Sequence, residues 1–273
     1  MKNVFYLVMI LCAFGASAQD STGVRLIEKS KIELDSTAYW NMDVIGNHLV
    51  SLNGTISKID TSGKTRYTQS IRSYGETAGL VSINAMKLVH FSEEQQTLCF
   101  LDNTLSSTED CIELALVEEE IVNATLISAS GQPDKVWVMD QLNSTLYQLP
   151  IIGNDPTRQV GNLSGLLNFG SVKQIKEASN KLFLLTSEGI FILDIYGSLI
   201  DVIRNTNIEY FDANESNLYV LSKGKLEIRH HRTGATTAIK LPVSDVFQVK
   251  VVNGALFART PKNVHKFELQ MLD

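Results

Sequence analysis

Asn217-Leu218-Tyr219-Val220-Leu221, followed after Lys223-Gly224 by Leu226-Glu227-Ile228-Arg229-His230, is the stretch whose reading decides how this chain folds. The first segment is apolar on consecutive positions. A strand reads this way when both of its faces are buried, because neighbouring side chains point to opposite sides of the sheet. Lys-Gly between the two segments marks a tight hairpin. A buried helix is the competing reading of any single apolar run, but five residues rich in β-branched and aromatic side chains and bounded by turn residues favour a strand. The unit recurs. Further quintets are His48-Leu49-Val50-Ser51-Leu52, Lys87-Leu88-Val89-His90-Phe91, Lys135-Val136-Trp137-Val138-Met139, Lys181-Leu182-Phe183-Leu184-Leu185 and Ala255-Leu256-Phe257-Ala258-Arg259, and the six starts are 39, 48, 46, 36 and 38 residues apart. Each is followed by a second strand opening with Ile, Leu or Val, beginning 8 to 11 residues after the quintet begins.

More polar outer strands come next, over Thr65 to Ile71, Glu109 to Leu114, Thr157 to Val160, Ser198 to Arg204 and Ala235 to Leu241, with Gly63, Gly153, Gly197 and Gly234 in the turns before them. The sixth repeat reaches Asp273 with no residues left for an outer strand. At the other end, Val24 to Leu34 is a spare strand ahead of the first repeat's innermost strand, near Tyr39 to Ile45. Deficit and surplus match. The spare strand is expected to complete the last repeat and close a ring, removing two exposed sheet edges. Large aromatics at the quintet centres, Trp137, Phe183, Tyr219 and Phe257, would fill the space between neighbouring sheets.

Repeats of this length and pattern resemble six-bladed β-propellers of the NHL-like and WD40/YVTN-like kind, for which Asn217 to Leu221 followed by Lys225 to Ile228 is typical of a blade's middle strands. The resemblance implies an all-β six-bladed ring of four-stranded antiparallel blades over residues 19–273. It carries fold, not activity. A WD-type dipeptide, the kelch double glycine and the tryptophan-docking motif of quinone-dependent dehydrogenases are missing from the sequence. Helical spacing also fits Asp110 to Ile121, which is read as strand plus loop.

Residues 1–18 read as a signal peptide: Lys2, an apolar stretch from Val4 to Phe14, then Ala16-Ser17-Ala18, with cleavage before Gln19. Leu11 before Cys12 argues against a lipid anchor, and no other run approaches the roughly 18 apolar residues of a membrane helix. The expected location is the periplasm or the exterior of a bacterial cell, with no membrane insertion. Without Lys2, 23 basic residues face 30 acidic ones, a net charge of −7 that argues against nucleic acid as a partner. Glu118-Glu119-Glu120 reads as a solvated loop. Export leaves Cys99 and Cys111, symmetric about Leu105 and directly opposite in a hairpin centred there. A disulfide is the favoured reading, two separate core cysteines the alternative.

No chemistry motif stands out. His230-His231 looks like a ligand pair, but strand neighbours point apart and no cysteine or carboxylate cluster accompanies them, so a solvated turn is expected. His48 and His90 fall on strands of different repeats and read as core-edge groups. The chain has no Gly-x-Ser-x-Gly elbow, no phosphate loop and no calcium loop; Asp140-Gln141-Leu142-Asn143 is a turn. No catalytic residue, metal ligand or cofactor is assigned. Asn-x-Ser/Thr triplets at Asn53, Asn123, Asn143, Asn162 and Asn214 are discounted in a bacterial context, and the Asp-Ser-Thr triplets at Asp20 and Asp35 are weak candidates for O-linked modification.

The loops that join one repeat to the next are the longest, and they offer Arg72, Tyr74, Glu76, Asn168, Phe169, Arg204 and Asn207 as candidate binding residues. Tyr, Arg and Phe are enriched at interaction hot spots, although these residues could equally cap the repeat ends. The expected function is a monomeric, non-catalytic exported module binding a protein or glycan. The alternative is a metal-dependent hydrolase or lactonase with its site in the central funnel, since lactonases of this fold hold calcium with carboxylates scattered over the blades.

Overall fold

The computed structural model of the protein describes residues 24–108, 111–117, 121–151 and 156–271. The expected signal peptide, Cys12, Gln19, the Asp20 triplet, Glu118-Glu119-Glu120 and Gly153 lie outside them. The first strand, β1 (Val24–Glu33), stands apart in sequence from the sheet it joins. Blade 1 contains β2 (Tyr39–Met42), β3 (His48–Leu52), β4 (Thr55–Ile59) and β5 (Thr65–Ser70). Blade 2 follows as β6 (Gly79–Ser82), β7 (Lys87–Ser92), β8 (Thr97–Asp102) and β9 (Ile112–Glu113). Blade 3 is β10 (Ala124–Ala129), β11 (Lys135–Asp140), β12 (Thr145–Pro150) and β13 (Arg158–Val160). Blade 4 is β14 (Gln174–Ala178), β15 (Lys181–Thr186), β16 (Gly189–Asp194) and β17 (Leu199–Arg204). Blade 5 is β18 (Ile208–Ala213), β19 (Asn217–Ser222), β20 (Lys225–His230) and β21 (Thr236–Lys240). Blade 6 takes β22 (Gln248–Val252), β23 (Ala255–Arg259) and β24 (Asn263–Met271) from the C-terminal side and β1 from the N-terminal side. The protein is a six-bladed β-propeller.

Each quintet is the second strand of its blade, as its double-faced apolar pattern requires. Six apolar clusters, one at each junction between neighbouring blades, account for both faces. Trp137, Phe183, Tyr219 and Phe257 are all buried in them. Closure follows the expected route: β1 runs antiparallel along β24, with Val24 opposite Met271 and Glu33 opposite Asn263 and a bulge between Glu28 and Ser30.

Cys99 and Cys111 are joined by a disulfide, their Cα atoms 4.2 Å apart. Flanking pairs Leu98 with Ile112 and Thr97 with Glu113 keep the symmetry about Leu105. Of the outer strand expected in blade 2 over Glu109 to Leu114, Glu109 and Asp110 lie outside the described residues; strand pairing is seen at Ile112–Glu113, and the chain then enters a 3-10 turn, Leu114–Leu116. Two features limit the pairing there. Register moves by two residues between the Leu101–Ser107 bridge and the β8–β9 ladder, interrupting the pairing. Leu114 then turns inward to pack, fully buried, between blades 2 and 3.

One carboxylate turn recurs where a third strand hands over to a fourth. Asp60 Oδ1 accepts from the N–H groups of Ser62 (2.9 Å) and Lys64 (3.0 Å). Asp102 does the same with Thr104 (2.8 Å) and Ser106 (2.9 Å), and Asp194 with Tyr196 (2.9 Å) and Ser198 (2.8 Å). The hydrogen bonds favour the ionised form. Bonds from Ser62 and then Lys64 hold the Asp60 carboxyl well below the usual range.

Candidate functional site

A channel of about 990 Å³ runs down the ring axis, walled by the first strands of the six blades. Four of those strands carry a polar-x-polar pair, and each pair reaches toward the next blade. Asn41 Nδ2 donates to Leu80 O (2.7 Å), while Tyr39 Oη accepts from Leu80 N (3.1 Å), so blade 1 grips the backbone of β6. Gln174 takes both backbone groups of Phe211, donating to O (2.7 Å) and accepting from N (3.2 Å). Lys176 Nζ pairs with Asp212, whose other oxygen accepts from Val251 N at 2.7 Å. Gln248 Nε2 donates to Trp40 O and to Tyr210 Oη, each at 3.2 Å. First strands have one unpaired edge, and these side chains satisfy backbone groups that would otherwise face the channel. Blades 2 and 3 present a plainer wall of Gly79, Val81 and Leu126.

Three other carboxyl contacts near the axis are made within and between the blades. Asp43 and Lys58 form a buried ion pair of 2.9 Å. Glu177 Oε2 accepts from Trp137 Nε1 (2.6 Å) and Ser130 Oγ (2.8 Å), binding blade 4 to blade 3. Among the described residues no group of three His, Cys, Asp or Glu side chains is placed to hold a metal ion.

Histidine is used for packing. His48 is buried, accepts from Trp40 Nε1 at 3.1 Å and stands edge-on to Phe257, 5.6 Å away. Burial, with the Lys266 charge, lowers its pKa to about 4. His90 is fully buried, its Nε2 3.0 Å from Thr77 Oγ1, which meets Ser51 Oγ at 2.7 Å. That serine–threonine–histidine chain lies between blades 1 and 2, with Ser51 and His90 buried and Thr77 half-buried, and burial holds His90 neutral with a pKa of about 4. The expected solvated turn at His230-His231 needs correction. His231 is half-buried, its Nε2 2.8 Å from Asn214 O and its ring 5.5 Å from Phe183, because the turn folds back onto the neighbouring blade.

The candidate binding residues all lie on the face that carries the interblade loops, at three separate junctions. Arg72, Tyr74 and Glu76 sit between blades 1 and 2, where Arg72 and Glu76 are exposed and Tyr74 packs 6.0 Å from His90. Asn168 and Phe169 sit between blades 3 and 4; Asn168 is exposed, but Phe169 is 2% exposed and belongs to the apolar cluster there. Arg204 and Asn207 sit between blades 4 and 5, exposed, with Arg204 3.7 Å from Glu188. Among the described residues no hydrogen bond, ion pair or ring contact joins the three groups into one patch. Overlooked on the same face are Leu116, Val122 and Leu142, exposed by 78%, 56% and 66%. Asp140 organises two of them: its carboxylate accepts from Val122 N (3.1 Å) and Leu142 N (3.0 Å). Their signal in the sequence is an aliphatic residue inside a polar turn, which Asp140-Gln141-Leu142-Asn143 displays.

No family model matches the chain, and no curated protein is significantly similar to it in sequence. Solved structures share the fold. A catalytically inactive virginiamycin B lyase from Staphylococcus aureus with quinupristin is similar at 9% identity and a TM-score of 0.59, covering 85% of this chain and 80% of that one. The Pan2 WD40 domain of Neurospora crassa is similar at 8% identity and a TM-score of 0.57, covering 86% and 91%. A streptogramin B lyase is similar at 10% identity and a TM-score of 0.55, covering 90% and 97%. Identities this low establish the likeness of architecture alone, which both enzymes and a WD40 domain share.

Proposed function

We propose that this chain is an exported, non-catalytic binding propeller that docks a protein partner on its interblade-loop face, at the junction of blades 2 and 3. Exposure of Leu116, Val122 and Leu142 in one neighbourhood carries the reading. Grouped exposed aliphatic side chains mark interaction surfaces, and aliphatics suit an apolar protein surface better than a glycan. The state of the chemical groups supports the same view: the buried histidines are held neutral, and the channel carboxylates Asp43 and Asp212 are paired with lysines.

The test is capture from an envelope extract of the source cells. A Leu116→Glu/Leu142→Glu chain should lose the partner that the parent chain retains, while a Tyr67→Glu control on the outer edge of blade 1 keeps it. Equal capture by all three would remove the face from consideration. Calcium or zinc held stoichiometrically through dialysis would sink the non-catalytic reading and favour a metal-dependent hydrolase.

A further inference from the structure

The side of the channel formed by blades 5, 6 and 1 collects hydrogen-bond donors that lack acceptors. Tyr39 Oη already accepts from Leu80 N, and Tyr210 Oη already accepts from Gln248 Nε2. Each phenol still has a proton to donate, and among the described residues neither proton has an acceptor. Lys250 Nζ lies over the Tyr210 ring, 5.7 Å from its centroid, and its charge also acts on the Tyr39 phenol. Among the described residues Lys250 has no carboxylate partner. Arg259 is 3% exposed; its Nη2 donates only to the carbonyls of Ala38 (2.5 Å) and Asp35 (3.4 Å), and its Nε donates to nothing. All four side chains line the channel.

Two cations are thus placed in a confined space without a counter-ion, in a protein whose net charge is −6. Among the described residues no carboxylate forms an ion pair with either: Glu177 accepts from Trp137 and Ser130, and Glu215, which also lines the channel, is bonded to neither cation. Asp212 is taken by Lys176 and Val251 N, and Asp43 by Lys58. A buried charge without a partner is costly, and donors of this kind, pre-oriented by the frame, are the usual means of holding an oxyanion. The Asp212 charge beside Tyr210 disfavours a dianion. Across the ring, Gly79, Val81 and Leu126 offer an apolar wall. We propose that the channel binds a small organic carboxylate, its oxygens accepting from Tyr39, Tyr210 and Lys250 and its apolar body lying against Val81 and Leu126. Arg259 adds positive charge at the same end.

Calorimetric titration of the whole chain near neutral pH tests this with octanoate and benzoate, with octanamide as the uncharged analogue and inorganic phosphate as the bare anion. Octanoate or benzoate should bind at one site, with octanamide and phosphate at least tenfold weaker. Lys250→Met should weaken carboxylate binding at least tenfold and leave the ligand-free melting temperature near that of the parent. Should Lys250→Met fail to fold, the Tyr39→Phe/Tyr210→Phe chain, which removes only two hydroxyls, should still weaken binding several-fold. Unchanged affinity in either variant, phosphate binding as tightly as octanoate, or no binding of either carboxylate would overturn the proposal.

Discussion

His48 and His90 place two imidazoles in apolar surroundings, and their depressed pKa values tie stability to pH. In the unfolded chain each titrates near the ordinary histidine value of 6.5, in the folded protein near 4. The neutral form is the one the fold accepts, so the stabilisation is complete above pH 6.5. It is lost progressively as pH falls toward 4, because only the unfolded chain takes up protons in that window. The shifts correspond to about 3 kcal/mol for each histidine. Urea unfolding at pH 7 and pH 4.5 should show a clear fall in stability, and His90→Phe should flatten part of it. An unfolding midpoint that stays level between those pH values would refute this account. Gly189 is a second residue-scale constraint. It has φ +137°, and a Cβ there would lie 2.0 Å from Ile203 O in the neighbouring strand. Both the conformation and the backbone clash exclude a side chain. Gly189→Ala should destabilise the protein by about 2–4 kcal/mol in chemical denaturation.

Among the described elements, the outer strand of blade 2 is the shortest, and the disulfide adjoins it. Two paired residues, Ile112 and Glu113, cannot hold an edge by ladder hydrogen bonds alone. The cross-link between Cys99 and Cys111 fixes that edge and restricts the unfolded chain over a 12-residue separation. Loop entropy puts the stabilisation at about 3 kcal/mol. Cys99→Ala/Cys111→Ala should therefore melt several degrees below the parent, and a reducing agent should lower the melting temperature of the parent but not of the variant. A variant that matches the oxidised parent would show that packing of Leu114 already anchors the edge. The outer strands of blades 1 and 4 are longer and follow carboxylate turns at Asp60 and Asp194, the same turn that Asp102 forms in blade 2.

At the scale of the whole molecule, the ring depends on one long-range pairing. β1 covers the edge of β24, and its Leu26 packs on the cluster between blades 5 and 6 that contains Phe267. Arg259 of blade 6 adds its bonds to the Asp35 and Ala38 carbonyls, just before blade 1 begins. Removing residues 24–33 exposes a sheet edge and opens one blade junction. The truncated chain should melt about 10 °C lower or more and self-associate, read by circular dichroism and size-exclusion chromatography. A synthetic peptide of Val24 to Glu33 should recover part of the loss. If truncation leaves melting unchanged, the inter-blade clamps at Gln248 and Arg259 close the ring unaided.

The residues that pack the blades were legible because burial on both faces of a strand writes itself into consecutive positions, as in Leu218-Tyr219-Val220-Leu221. Blade number and closure followed from spacing and from a strand missing in the last repeat and spare ahead of the first. Phe169 shows where such reading stops. As an aromatic in a loop it resembles a contact residue, yet the loop folds inward and buries it. Tyr39, Tyr210 and Lys250 show the converse. They stand on three different strands, separated by up to 211 positions, and the alternation Tyr39-x-Asn41, Tyr210-x-Asp212, Gln248-x-Lys250 hints only that one face of each first strand is polar. The sequence by itself determined the strands, their count and their order, since these depend on local periodicity and spacing. Only the tertiary structure decided which polar groups share the channel and which of them lack a partner, because hydrogen bonds and charges act through distance in space, and ring closure sets those distances.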